Sequence, residues 1–181
     1  MKWVTTRHVH MDRVATPWLI KRFVDPEAEF YFVPWEGGFQ GPEGAVQVAI
    51  PGSELGPHDD EGTAFEKVLR KFDVTDAGAI EVGKVVAAGV AYVLKGYRPA
   101  PDDRYGQIGV GLLAMSDGIM MLHDTDRQVI EASLPIYDAL RARLLTEVLM
   151  RERGVHPPDH RGQGPGSRNE FFKALLQERP R

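Results

Sequence analysis

Apolar residues recur along this chain with two different periods. From Val4 to Val9 the pattern reads as a short strand, and from Val14 onward Val14, Trp18, Leu19 and Phe23 fall at helical spacing. Thr16 as N-cap and Pro17 at the first helical position offer one start for that helix, with Asp12 as the alternative cap. Asp25-Pro26 ends it, because a residue before proline is pushed out of the α region. Phe30 to Pro34 is rich in aromatics and reads as a buried strand. Trp35 to Gly44 is a glycine-rich loop, and Val46 to Ile50 is a further short strand closed by Pro51-Gly52.

The pattern then turns helical. Thr63-Ala64-Phe65-Glu66 is a capping-box signature that announces a helix. Ala77 to Leu94 carries an apolar stripe wide enough for a buried helix, with Gly83 and Gly89 inside it as points of close packing. Gly96 to Asp103 is a loop, and Tyr105 to Leu122 is another apolar helix with Ile108, Leu112, Met115 and Ile119 on one side. Thr125 and Gln128 cap a long helix running to about Glu152, with Pro135 expected to kink it.

From Gly154 to Ser167 the composition shifts to Gly, Pro, His and Arg, which is linker chemistry. A short helix capped by Ser167 follows, presenting Phe171, Phe172, Leu175 and Leu176. It is too short to stand alone in water, so it must dock on its own body or on a partner subunit. The expected organisation is a main domain over 1–153, a linker over 154–168 and a docking helix over 169–181. The fold class is α+β: a small N-terminal sheet of short strands with one helix, then a mostly helical C-terminal bundle.

Composition narrows the function classes. With 181 residues, 43% hydrophobic and 27% charged, the chain suits one domain with a substantial core. A net charge of -4 gives no electrostatic reason to bind nucleic acid or an anionic membrane. The Met1-Lys2-Trp3 start leads into a strand rather than a signal peptide, so a cytoplasmic location is expected. The absence of cysteine excludes disulfides, thiolate metal sites, iron–sulfur clusters and thiol nucleophiles.

Two stretches could carry chemistry. His8, His10, Asp12 and Arg13 cluster where the first strand feeds the first helix; on a strand, His8 and His10 would point to one face. Backbone N–H groups at such a crossing are free to meet an anion, and the Arg13 guanidinium suits an oxyanion. The other is Glu54 to Glu61, ELGPHDDE, with one histidine and four carboxylates in eight residues. Glu54, His58 and Glu61 there supply ligand types that suit zinc, iron or manganese, or else the segment is a solvated acidic loop before a helix N-terminus. A loop alone makes a weak site. His10 and His123, the latter at the end of an apolar helix, are the distant imidazoles that could complete it.

DRVATPWLIKRFVDPEAEFYFVP, followed by IPGSELGPH and LPIYDALRARL, resembles the chromate-resistance ChrB-type domain, the C-terminal part of ChrB regulators that also occurs alone. The likeness runs from about Trp3 to Leu145, loosely in its middle third. It implies an acid-x-x-histidine pattern in the acidic loop, with His58 the equivalent histidine although Pro57 occupies one possible position and the loop looks a residue longer. It also matches the LHDTD stretch at His123 and the segment containing Tyr137 and Asp138. Thr16 stands where related domains often carry a cysteine, and none lies near Thr63, so thiol-based chromate sensing or reduction is ruled out.

Three functions fit this reading. One is a metalloenzyme with a mononuclear divalent metal on Glu54, His58, Glu61, His10 and His123, with Asp12, Arg13 and Tyr137 as catalytic candidates; the resemblance implies superoxide-dismutase-like or hydrolytic chemistry, without an organic cofactor. Another is a regulatory module sensing a metal or an oxyanion, acting on a small anion or small molecule and lacking the DNA-binding part. The last is a non-catalytic interaction protein that forms a homo-oligomer through its C-terminal helix.

Overall fold

In the computed structural model, residues 1–37, 41–159 and 164–177 are described. Strand β1 (Lys2–Thr6) is the centre of a three-stranded parallel sheet in the order β2-β1-β3, with β2 at Glu29–Val33 and β3 at Val46–Gln47. Trp3 to Thr6 are all buried, as expected of a central parallel strand covered on both faces. The crossover from β1 to β2 is helix α1 (Asp12–Leu19), which continues into a π-helical turn at Ile20–Val24 and stops before Asp25-Pro26. Helices α2 (Ala64–Lys71), α3 (Ala77–Leu94), α4 (Arg104–Leu122), α5 (Asp126–Arg153) and α6 (Gly164–Gln177) complete the α+β fold.

The elements agree with the hydrophobic pattern, and the differences have local causes. Strand β1 ends at Thr6, not Val9, because His8 and Met11 adopt left-handed φ of 59° and 45° that no strand accommodates. The third strand is only Val46–Gln47, since Ala49 at φ 53° breaks it and Val48 makes an isolated bridge to Leu55. Helix α1 begins at Asp12, so neither Thr16 nor Asp12 is its N-cap; Met11 is, and Pro17 lies inside. Helix α5 runs unbroken through Pro135. Helix α6 begins at Gly164, so Ser167 is within it and does not cap it. The linker expected over 154–168 is non-helical at residues 155–159. His160 and the end of the docking helix lie outside the described residues.

The two capping boxes form as read, Thr63 with Glu66 and Thr125 with Gln128. The core is built around Trp18, whose ring stacks on Phe65 and Tyr137 at centroid distances of 6.2 and 5.8 Å. Its indole N–H donates to Asp138 at 2.8 Å, and Arg22 grips the same carboxylate through two bonds. Helix α3 is apolar enough, at mean hydropathy 1.6, to cross a membrane by length and composition; its inward positions pack instead in the core against the neighbouring helices. Its glycines serve that packing: a Cβ on Gly83 would meet the Phe65 ring at 3.2 Å. Helix α6 lies on α5 of its own chain, with Leu175 buried and the Arg143 guanidinium 5.2 Å from the Phe172 ring.

Candidate functional site

Between β1 and α1 the chain makes a strained crossing, residues 7–11, held from several sides. The Val9 N–H donates to Asp126 Oδ1 at 2.7 Å, and the Met11 N–H donates to Ser116 Oγ at 3.3 Å. The Tyr137 hydroxyl donates to the Met11 carbonyl at 3.3 Å, and His10 Nε2 meets Asp117 Oδ1 at 2.7 Å. Two left-handed non-glycine residues cost about 1–3 kcal/mol each and persist only where the surroundings fix them. The crossing therefore sends its two imidazoles apart. His8 and His10 line separate cavities, contrary to the same-face expectation, because the strand has already ended.

His10 lines a cavity of about 320 Å³ together with Asp12, Arg13, Trp35 and His58. Three chain segments thus meet: the crossing, the loop after β2 and the acidic loop. Arg13 Nη1 is committed to Thr6 Oγ1 at 2.6 Å and to the Arg7 carbonyl at 3.1 Å. Its Nε and Nη2 have no partner among the described residues, and its guanidinium carbon sits 5.5 Å from the Trp35 ring. The remaining wall is apolar, from Ala49, Pro57 and the end of α3 at Val90, Val93 and Leu94.

Asp12 borders this cavity but is already engaged. Its Oδ2 accepts the Ala64 N–H at 2.9 Å, and its Oδ1 accepts the Phe65 N–H at 3.0 Å and the Thr16 hydroxyl at 3.1 Å. It therefore holds the first turn of α2. Burial raises its pKa above the ordinary carboxylate value, opposed by those three hydrogen bonds and by His58. Tyr137 is buried beneath Met11, and burial followed by the Asp12 charge raises the pKa of its hydroxyl. Tyr137 does not line the cavity, so its place is a support for the crossing.

The acidic loop finds its cations within the protein. The buried Lys67 ammonium donates to the Pro57 carbonyl at 3.0 Å, to the Gly56 carbonyl and to Asp59. Lys71 pairs with Glu54, and Arg70 binds the Glu61 carbonyl at 2.7 Å. Glu54 and Glu61 are exposed and do not line the cavity of His10 and His58. His123 lies elsewhere, with His8 in a second cavity of about 710 Å³ that also holds Arg7, Arg127, Asp124 and Asp126. The five residues read as a metal set are thus divided, with His10 and His58 together and Glu54, Glu61 and His123 apart. Among the described residues, no three His, Asp or Glu side chains form a group that could hold a metal ion. Among the cations that meet this loop are Lys67 and Lys71 of α2.

Sequence reasoning missed Trp35, Asp117 and Lys67. Asp117 carried a usable signal, because it is the lone charge in α4 after Arg104 and so implied a partner. Trp35 gave none, lying in a loop whose course the apolar pattern does not fix.

Comparison with known proteins agrees with the motifs. Residues 3–144 match the family model for the ChrB C-terminal domain. Protein ChrB of Cupriavidus metallidurans is 34% identical over 86 residues, 47% of this chain and 26% of that protein. The match thus spans about a quarter of the length of that relative. No solved structure matches the chain significantly. With its match across most of its length, the chain belongs to the ChrB C-terminal domain family.

Proposed function

We propose that this chain is an anion-binding module of the chromate response, taking a small anion in the cavity of His10, Arg13 and His58. The observation that carries this reading is Arg13, held by Nη1 at the rim of a cavity with Nε and Nη2 left to donate. A guanidinium with paired free donors suits an oxyanion, and imidazoles from two other directions can add donors around it. Asp12 does not oppose an anion as a free carboxylate would, because backbone and hydroxyl donors surround it. The His10 Nε2 contact with Asp117 fixes the ring beside the cavity.

Binding should register as stabilisation. At a hundredfold excess over its dissociation constant a ligand adds about 2.7 kcal/mol, and for a domain of this size each kcal/mol moves the unfolding midpoint by roughly 2–4 °C. Chromate, and sulfate as its redox-inert counterpart, are expected to raise the midpoint of the unmodified protein and of Arg7→Gln, but not of Arg13→Gln. No shift with either anion contradicts the reading.

A divalent metal is the second reading, favoured by His10 and His58 lining one cavity, with any further ligands supplied from outside the chain. Metal-dependent catalysis belongs to it. Stoichiometric zinc, iron or manganese in protein purified without a histidine tag, and its loss in His10→Ala and His58→Ala, would carry that reading instead.

A further inference from the structure

The cavity of His10 and Arg13 is larger and more apolar than an inorganic anion needs. At about 30 Å³ per water, its volume of about 320 Å³ holds roughly ten waters, and a tetrahedral oxyanion fills about half of that or less. Its polar lining is Asp12, Arg13, His10 and His58. Its apolar lining includes Val90, Val93 and Leu94 from the last turns of α3, and Trp35.

That apolar wall is open to solvent where it should not be for stability alone. Trp35, Val93 and Leu94 are 50%, 49% and 55% exposed, three large apolar side chains that line one cavity. Single exposed apolar residues are ordinary, whereas several around a concave site with a few convergent polar groups are the usual makeup of a small-molecule pocket. Trp35 lies against the Arg13 guanidinium at 5.5 Å, so its ring is held as a flat wall beside the charged end. A bare oxyanion would leave this wall wet and unused.

We propose that the ligand of this cavity is a small organic carboxylate with a planar apolar body, its carboxylate on Arg13 and its body between Trp35 and the Val93–Leu94 end of α3. This rests on the anion reading above and specifies the anion. A carboxylate matches the two free guanidinium donors in one plane, and burial of the body supplies the affinity an inorganic anion lacks.

Isothermal titration of the full chain with benzoate, its neutral isostere benzamide, and sulfate tests this. Benzoate is expected to bind at least tenfold more tightly than sulfate and than benzamide. Trp35→Ala and Leu94→Gln, both at exposed positions where the fold is not at stake, are expected to weaken benzoate at least fivefold and leave sulfate unchanged. Sulfate binding as tightly as benzoate, or benzoate binding that ignores both substitutions, overturns the organic ligand while the anion reading stands. Benzamide binding as tightly as benzoate overturns the role of the charged end. Binding of none of the three overturns the organic ligand, and overturns the anion reading as well when chromate also fails to raise the unfolding midpoint.

Discussion

Asp12 shows how a residue can border a site and still serve the fold. Its two oxygens accept three hydrogen bonds, two of them from the otherwise free N–H groups that open α2. Asp12→Ala leaves those donors buried without a partner and is expected to cost about 3 kcal/mol. Asp12→Asn keeps one acceptor and removes the charge. Because the folded pKa of Asp12 is raised above the ordinary 3.8, its contribution to stability is fully present below that pH and is lost as pH rises through the folded value. The stability of Asp12→Asn relative to the unmodified protein should therefore improve as pH rises from below 3.8 towards neutrality, measured by urea unfolding at each pH. A relative stability that falls over that range would mean that Asp12 is held charged by a stronger partner.

At the level of elements, the crossing between β1 and α1 is fixed by α4 and α5, so the placement of those helices sets the site. The approach of α3 to α4 depends on glycine. A Cβ on Gly109 would lie 3.0 Å from both the Gly89 nitrogen and the Val85 carbonyl oxygen, which are backbone atoms that cannot step aside. Gly118 in the same helix faces open space. Gly109→Ala is expected to destabilise by about 1–3 kcal/mol through overpacking. Gly118→Ala is expected to stabilise by roughly 0.5–1 kcal/mol through helix propensity. Thermal unfolding of the two variants checks both, and equal effects would contradict the close seam. Since Ser116 and Asp117 sit on α4 beyond Gly109, the first substitution should also weaken the hold on Met11 and His10.

Across the whole molecule, the α+β organisation was legible because hydrophobic period and capping chemistry report on local structure. The Thr63–Glu66 and Thr125–Gln128 boxes and the bounds of α3 are cases where the local signal decided the outcome. The candidate site was legible only in part. His10, Asp12, Arg13 and His58 were identified from residue type, and they do border one cavity. Their grouping with Glu54, Glu61 and His123 was not, because an acidic loop reads the same whether its cation is a metal or a lysine on the next helix. Lys67 is four residues beyond Thr63, facing inward, and only tertiary packing shows that its ammonium lies against the Gly56 and Pro57 carbonyls. His8 was misplaced for a related reason, since a left-handed residue at the end of a strand reverses the side on which its neighbours emerge.

An anion is expected to bind beside Arg13 and not in the cavity of His8 and His123. Histidine side-chain NMR during titration with chromate tests it most directly, because the imidazoles report separately on the two cavities. The His10 and His58 resonances are expected to shift together and saturate, while those of His8 and His123 stay in place. Movement of His8 and His123 alone, or of none of the four, would contradict it.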